Sequence, residues 1–388
     1  MDFDLNEEQR LFRDMVSRFA QTELAPGAAE RAASPGYPWD VVARLAEMGL
    51  LGILFDEADG GSGGTLVDAI VAIQAVAEAC PKSGDVVQAA NFGPVRTFVE
   101  YATPEQKARF LPDILAGKAL MSLGMTEPGA GSAVTELTTT ATADGDDLII
   151  NGTKVFGTHS DLANLFLVYV RFGPGTGGIG SVLIERGTPG FAIGKPSAFM
   201  NGEAWCQLYF DDVRIPKENV LLGQGGFRKQ IAGFNVERLG NAARAVAVGR
   251  HAFNLAREHA LTRRQFGRPL CEFQGLQWKF AEMELKLEAA QLLLMRAAVG
   301  GATGLPSAHD TALAKLACNE AGYFAANEAV QILGGLGFSS ESTAQYCLRR
   351  TRGWMIAGGS VEIMKNRIAE GIFGRRFDQR PPRPATAE

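Results

Sequence analysis

The stretch Met125-Thr126-Glu127-Pro128-Gly129-Ala130-Gly131-Ser132 puts two hydroxyls and a run of unencumbered backbone amides in one loop. It follows the apolar run 119–123 and precedes the alternating segment 137–143, so it joins two strand candidates. Thr126, Ser132 and the bare N–H groups can meet a polar ligand there, although a polar turn between strands has the same composition. A second candidate is Arg263-Arg264-Gln265-Phe266-Gly267, with Glu272-Phe273-Gln274 behind it. Guanidinium groups followed by an amide suit a pyrophosphate, whose oxygens they bind bidentately. The plainer role for such arginines is to balance a helix C-terminus. Gly60-Gly61-Ser62-Gly63-Gly64 matches G-x-S-x-G, but Asp56-Glu57-Ala58-Asp59 separate it from the apolar run 50–55. A nucleophile elbow needs its Ser directly after the strand, so this stretch reads as a flexible loop and a hydrolase is a remote alternative. Asn151-Gly152-Thr153 has the form of a glycosylation sequon, and its Asn-Gly reads as a hairpin turn.

These stretches sit in three zones of different periodicity. Residues 1–118 read helical: Leu11, Met15 and Phe19 lie one turn apart and Pro26 closes that helix. Further helices are expected near 38–48, 65–80 and 86–102, and Thr103-Pro104-Glu105-Gln106 carries the marks of a capped helix start. Residues 119–225 contain short Val-, Ile-, Thr- and Phe-rich runs at 148–151, 165–172, 180–185 and 205–210, parted by Asp144-Gly145 and Gly/Pro clusters. That pattern predicts a small antiparallel β domain. Residues 226–373 return to long helical patterns, broken at Gly267-Arg268-Pro269, Gly300-Gly301 and Gly334 to Gly337, so the C-terminal unit runs over 226–388 with a short tail. Three long segments and a shorter one suit a four-helix bundle. The segment 380–388 lacks large apolar residues and is expected to be mobile.

Composition narrows the function classes. A hydrophobic content of 46% over 388 residues is ample for a large core, and a net charge of −5 argues against nucleic-acid binding. Arg349, Arg350 and Arg352 read as a solvated or interface face. No apolar run is long enough to span a membrane, and the polar, acidic first ten residues are unlike a signal peptide. Five scattered cysteines without a CxxC pair and four histidines without ligand spacing point to a cytoplasmic protein with reduced thiols and no metal.

The order TEPGAGS, at the start of a β-rich middle region between helical zones, resembles the acyl-CoA dehydrogenase family. The resemblance recurs along nearly the whole chain. It implies an α+β fold: an N-terminal all-α domain, a middle antiparallel β-barrel-like domain and a C-terminal four-helix bundle. It implies bound FAD, with Leu123, Met125 and Thr126 at the isoalloxazine and Ser132 at the flavin–CoA boundary. Lys154-Val155-Phe156-Gly157-Thr158-His159-Ser160 sits at the family's KxWITN position, Phe156 standing for the usual Trp and His159 for the usual Asn. Thr158 matches the hydroxyl that faces the ring. Arg263, Gln265, Phe266 and Gln274 match the RxxFG…Q signature that reaches the adenine half of a neighbour's FAD. Gln331, Gly334, Gly335, Ser360 and Glu362 are in register with further flavin contacts. The resemblance therefore implies a homo-oligomer, a tetramer in this family.

The same resemblance implies the base. In the medium- and short-chain branches a Glu precedes Gly-Thr near the C-terminus, and that position here is Gly358, followed by Gly359 and Ser360. The isovaleryl and long-chain branches instead carry the Glu on the first bundle helix before an Arg, which matches Asn235-Val236-Glu237-Arg238. Glu237 is thus expected to take the α-proton of an acyl-CoA thioester while FAD N5 accepts the β-hydride. Asn235, Arg238, Gly358, Gly359 and Ser132 are expected on the substrate, with the glycine N–H groups and a flavin ribityl hydroxyl polarising the thioester oxygen. A surface Glu-Arg pair is the bland alternative for Glu237. Electrons would pass to an electron-transfer flavoprotein. Three other readings stand beside this one: an acyl group presented on a carrier protein, a desulfinase-like variant, and a non-catalytic subunit of a mixed oligomer.

Overall fold

The computed structural model describes residues 4–301 and 305–379; the segment 380–388 lies outside the described residues. Seven helices come first: α1 (Glu7–Phe19), α2 (Ala28–Ala33), α3 (Trp39–Glu47), α4 (Leu66–Ala79), α5 (Pro81–Asn91), α6 (Gly93–Tyr101) and α7 (Pro104–Leu115). Their starts are written in capping chemistry. Asn6 with Gln9, Thr65 with Asp68 and Thr103 with Gln106 form reciprocal capping boxes, satisfying N–H groups that the first turn leaves unpaired. In α1 the inner face runs through Phe12, Val16 and Ala20, while Leu11 and Met15 point outward. The single helix expected over 86–102 is two. Phe92, with φ −113° and ψ −103°, breaks the chain between α5 and α6, and this break exposes the first N–H of α6 to a ligand of its own.

The middle strands are β1 (Met121–Gly124), β2 (Thr140–Asp144), β3 (Asp147–Thr158), β4 (Leu165–Arg171), β5 (Ile179–Glu185), β6 (Phe191–Ile193), β7 (Ser197–Ala198), β8 (Ala204–Pro216) and β9 (Val220–Leu222). They pair in the order β6-β8-β3-β2-β4-β5-β9. The sheet is mostly antiparallel as expected, but β1 and the start of β2 run parallel to β4, so it is mixed. Asp144-Gly145 does turn a hairpin, with Asp144 opposite Asp147. Asn151-Gly152 does not. It lies inside β3 at a register shift, where Gly152 has φ +148° and a Cβ would stand 2.5 Å from Thr139 Oγ1. The glycine there serves a bulge and a close approach rather than a turn.

The last zone holds α8 (Phe227–Thr262), a small hairpin of β10 (Arg264–Gln265) and β11 (Arg268–Pro269), then α9 (Gln274–Gly300), α10 (Ala308–Leu333), the one-turn α11 (Gly335–Phe338), α12 (Thr343–Trp354) and α13 (Val361–Phe373). Two short helices therefore close the bundle where one was expected. Helices α8 and α10 touch backbone to backbone: a Cβ on Gly322 would stand 2.2 Å from Ala245 O. One apolar core runs from α1, α4 and α5 through α8, α9 and α10. The sheet keeps its own core and meets the first helices through Val95, Phe98, Leu111 and Ile114 against Leu165, Leu167 and Leu183. Among the described residues no helix is long and apolar enough to cross a membrane.

Candidate active site

Glu237 is not a surface member of an ion pair. It sits on α8 facing the α5–α6 break, where Gln88 Nε2 donates to its two carboxylate oxygens at 3.0 and 2.9 Å and the Gly93 N–H donates to it as well. Gly93 opens α6, so the carboxylate also lies at the positive end of that helix. Burial pushes the Glu237 carboxyl above the ordinary carboxylate range, opposed by Arg244, the Gly93 N–H, Gln88 and Arg238. The next residue faces the other way. Arg238 Nε donates to Gly358 O at 3.1 Å and its Nη1 to Asn235 Oδ1 at 3.1 Å, which ties the 355–360 loop to α8 across 120 positions of sequence.

Two more side chains hold that loop. Lys315 on α10 donates to Trp354 O at 2.9 Å and Gly359 O at 2.7 Å, and Asn319 donates to Trp354 O at 2.6 Å. Burial, then Arg238, pulls the fully buried Lys315 down to about 7. Gly358 and Gly359 have φ +69° and +95°, a conformation that a side chain disfavours, and a Cβ at Gly358 would meet nothing within 4 Å. There is open space where the medium- and short-chain branches carry their Glu. Ser360 caps α13 by accepting from Ile363 N–H, and Glu362 follows in the first turn.

The sheet contributes a second group. Val155 N–H donates to Thr126 O at 2.8 Å and Ser122 Oγ to Thr158 O at 2.9 Å, so Leu123, Met125, Thr126, Phe156 and Thr158 converge where β1 ends beside β3. The clamp beneath them is Glu127. Its oxygens accept from the N–H and hydroxyl of both Thr138 and Thr139, at 2.6–2.9 Å, and from Lys154 Nζ at 2.7 Å. Both members of the pair are buried. Burial alone would raise the Glu127 carboxyl, but Lys154 and the threonines hold it well below the usual range. Phe156 has φ +61°, an outlier for an aromatic residue, and its ring is 53% exposed, 4.5 Å from that of Trp205. Ser132 is exposed at the far end of the loop.

A third group lies outside. Arg263, Gln265, Phe266, Gln274, Gln331, Gly334 and Gly335 are all exposed, at the C-terminal ends of α8 and α10 and the start of α9, with Phe266 94% accessible. A cavity of about 560 Å³ opens there between Gln265, Phe266, Leu270, Phe273, Leu276 and Lys279.

Behind Glu237 lies a buried ion cluster that sequence reasoning missed. Asp85 on α5 pairs with Arg244 on α8 at 2.9 Å and with Arg350 on α12 at 3.0 Å, and Arg350 pairs with Glu203 at 2.5 Å. Trp354 stacks under both guanidinium groups, each 4.8 Å from its ring. Arg350 is therefore buried, not part of a solvated basic face. His159 is drawn in too: its Nε2 lies 3.7 Å from Glu203 Oε1 and its ring packs edge-on to Tyr37, while burial holds its pKa below the ordinary value despite Glu203. Gln88, Asp85, Lys315 and Asn319 left one trace in the sequence, polar residues placed inside Ala- and Val-rich helical stretches, where a core-facing position has to be hydrogen-bonded.

Comparison with known proteins places this geometry. Residues 6–118, 122–213 and 224–373 match the N-terminal, middle and C-terminal domains of acyl-CoA dehydrogenases. A short-chain specific acyl-CoA dehydrogenase of Clostridium acetobutylicum is 34% identical over 378 residues, covering 96% of this chain and 100% of that one. A 3-sulfinopropanoyl-CoA desulfinase of Paraburkholderia xenovorans is 32% identical over 386 residues, covering 97% and 99%. The solved structure of butyryl-CoA dehydrogenase from Megasphaera elsdenii superposes with a TM-score of 0.89 at 31% identity, covering 96% of this chain and 100% of that one.

Proposed function

Because the chain belongs to the acyl-CoA dehydrogenase family, we propose that it oxidises an acyl-CoA thioester to the 2-enoyl-CoA with Glu237 as the base. The observation that carries the assignment is the carboxylate of Glu237 held by Gln88, together with open space at Gly358, in the loop to which the next residue, Arg238, is tied. In this reading the chain comprises units 1–118, 119–225 and 226–388.

The cofactor is FAD, and the residues present fit it: a strained, half-exposed Phe156 ring stands beside the exposed Thr158 and the Thr126 segment, which is tied to β3 through Val155. When bound, FAD supplies the acceptor for the β-hydride. Glu237 takes the α-proton, and its raised pKa makes it a stronger base than an exposed carboxylate. The Gly358–Gly359 peptide is trans, so fixing Gly358 O on Arg238 aims the Gly359 N–H the opposite way, free to polarise the thioester oxygen. Arg238 has two of its donors committed to Gly358 and Asn235, which makes it a positioning residue for this loop more than a contact for the pantetheine arm. Ser132, exposed on its loop, is left to contact that arm. The exposed set at Arg263, Gln265, Phe266, Gln274, Gln331, Gly334 and Gly335, together with its cavity, serves the adenine half of a neighbouring subunit's FAD in a homotetramer. Ser360 and Glu362 complete the flavin side. An electron-transfer flavoprotein in the cytoplasm receives the electrons. The desulfinase-like reading is the weaker one here, because this chain carries a held carboxylate, Glu237, at the helix position.

The test is Glu237→Gln. It keeps shape and flavin, and turnover with straight-chain acyl-CoAs falls by about 10²–10⁴-fold. Flavin reduction at the wild-type rate would refute the assignment.

A further inference from the structure

We propose that Gln88 is a positioning residue for the base: its side-chain amide sets the orientation of the Glu237 carboxylate by donating to both of its oxygens. The inference rests on Glu237 being the base. Gln88 lies on α5, 149 positions before Glu237, and is 4% exposed. Its Nε2 is nearly equidistant from the two carboxylate oxygens, at 3.0 and 2.9 Å. A donor shared in this way fixes the plane and rotation of the whole carboxylate, where a bond to one oxygen would leave it free to turn. The Gly93 N–H adds a second donor at the start of α6, where a Cβ would approach Oε2 to 4.0 Å.

A desolvated carboxylate without donors takes up a proton and stops being a base. Arg244 opposes burial through space, and the Gly93 N–H and the Gln88 amide do so by direct contact. On its own helix, Arg238 is spent on Gly358 O and Asn235, and Arg244 Nη1 is spent on Asp85 of α5. Asp85 also takes Arg350 of α12. Lys315 of α10 and Arg367 of α13 lie beyond Arg238, and the first charged residue of α6, Arg96, pairs with Glu100. Among the described residues no cation lies within ion-pair distance of the carboxylate. That suits the chemistry. A contacting cation would depress the pKa so far that the group could not accept a proton from a weakly acidic α-carbon, whereas a neutral amide offsets burial and leaves basicity intact.

The test is the pH profile of kcat/KM for the FAD-loaded enzyme, using the straight-chain acyl-CoA that wild type turns over best. Gln88→Met matches the side chain in length and removes the donor. Its acid limb moves up by about one pH unit, with a roughly ten-fold loss below the limb and little loss above it. Gln88→Glu moves the limb further, because two carboxylates about 3 Å apart cannot both ionise. Should Gln88→Met fail to retain flavin, Gln88→Glu carries the test. An unshifted limb, or a loss uniform in pH, overturns the proposal, since a merely structural role lowers rate without moving the limb. An inactive Glu237→Gln with an unshifted Gln88→Met leaves the base in place and removes only this inference. A fully active Glu237→Gln removes the base itself.

Discussion

Lys154→Met tests whether the 125–132 loop is held by charge. Lys154 is 0% exposed and Glu127 4%, with 2.7 Å between Nζ and Oε1, so the substitution leaves a carboxylate buried without its counter-ion. Removing one partner of such a pair costs about 3–5 kcal/mol. Four hydrogen bonds from Thr138 and Thr139 survive, which puts the expectation near the lower end, about 3 kcal/mol. The assay is equilibrium unfolding of Lys154→Met, Glu127→Gln and the double variant. Because the double variant buries no uncompensated charge, it should be more stable than the sum of the single effects predicts, by about 2 kcal/mol. The pH dependence has a definite sign. In wild type, the folded Glu127 pKa of about 2 lies below its ordinary 4.5, so the pair stabilises above pH 4.5 and loses that contribution as pH falls through about 2. Without Lys154 the remaining burial raises the pKa, so the cost of the substitution shrinks on acidification. Additive single effects, or a cost independent of pH, would refute an electrostatic clamp and leave only packing.

Arg263→Ala should weaken FAD retention with little change in the fold, since the residue is exposed and its loss removes charge-assisted bonds to a pyrophosphate, each worth about 1.5–3 kcal/mol; flavin absorbance after dialysis reads it. Lys315→Met should cost about 1–3 kcal/mol by leaving Gly359 O without its donor, while Asn319 still serves Trp354 O. The folded pKa of Lys315, about 7, lies below its ordinary 10.5, so the unfolded chain binds more protons between those values; wild-type stability relative to Lys315→Met should therefore rise with pH across that window, read by denaturant unfolding at each pH.

What the sequence disclosed follows the range of the interactions involved. Capping boxes such as Thr103 with Gln106 are local, and they appear where the residues predict them. Asp144-Gly145 turned as read because its partner strands are adjacent in sequence. The identical logic failed at Asn151-Gly152, where the deciding contact is Thr139 on the neighbouring strand and no local preference reveals it. His159 and Arg350 show the same limit. Arg350 was judged by the company it keeps in sequence, as part of a basic face, and His159 only as the residue standing for an Asn. Both are packed against residues distant in sequence, His159 against Tyr37 and Glu203, Arg350 against Asp85 and Glu203.

The candidate base exposes the limit most clearly. Glu237 was identified by matching a pattern, and the complementary Gly358 lies 121 positions away, a pairing that periodicity alone could not suggest. What the pattern could not contain is the support: Gln88 and Gly93 come from the first helices, and Lys315 from the third long bundle helix. A buried polar residue must be satisfied somewhere, so Gln88 within Val86-Val87-Gln88-Ala89-Ala90 announces that it has a partner without saying which. The partner follows only from the break at Phe92, which turns α6 so that its first N–H and the Gln88 amide meet one carboxylate from α8. The reactivity of Glu237 thus depends on how the first helices dock on the bundle. Substitutions at that junction, remote in sequence from every recognised motif, should register in the pH profile before they register in flavin content.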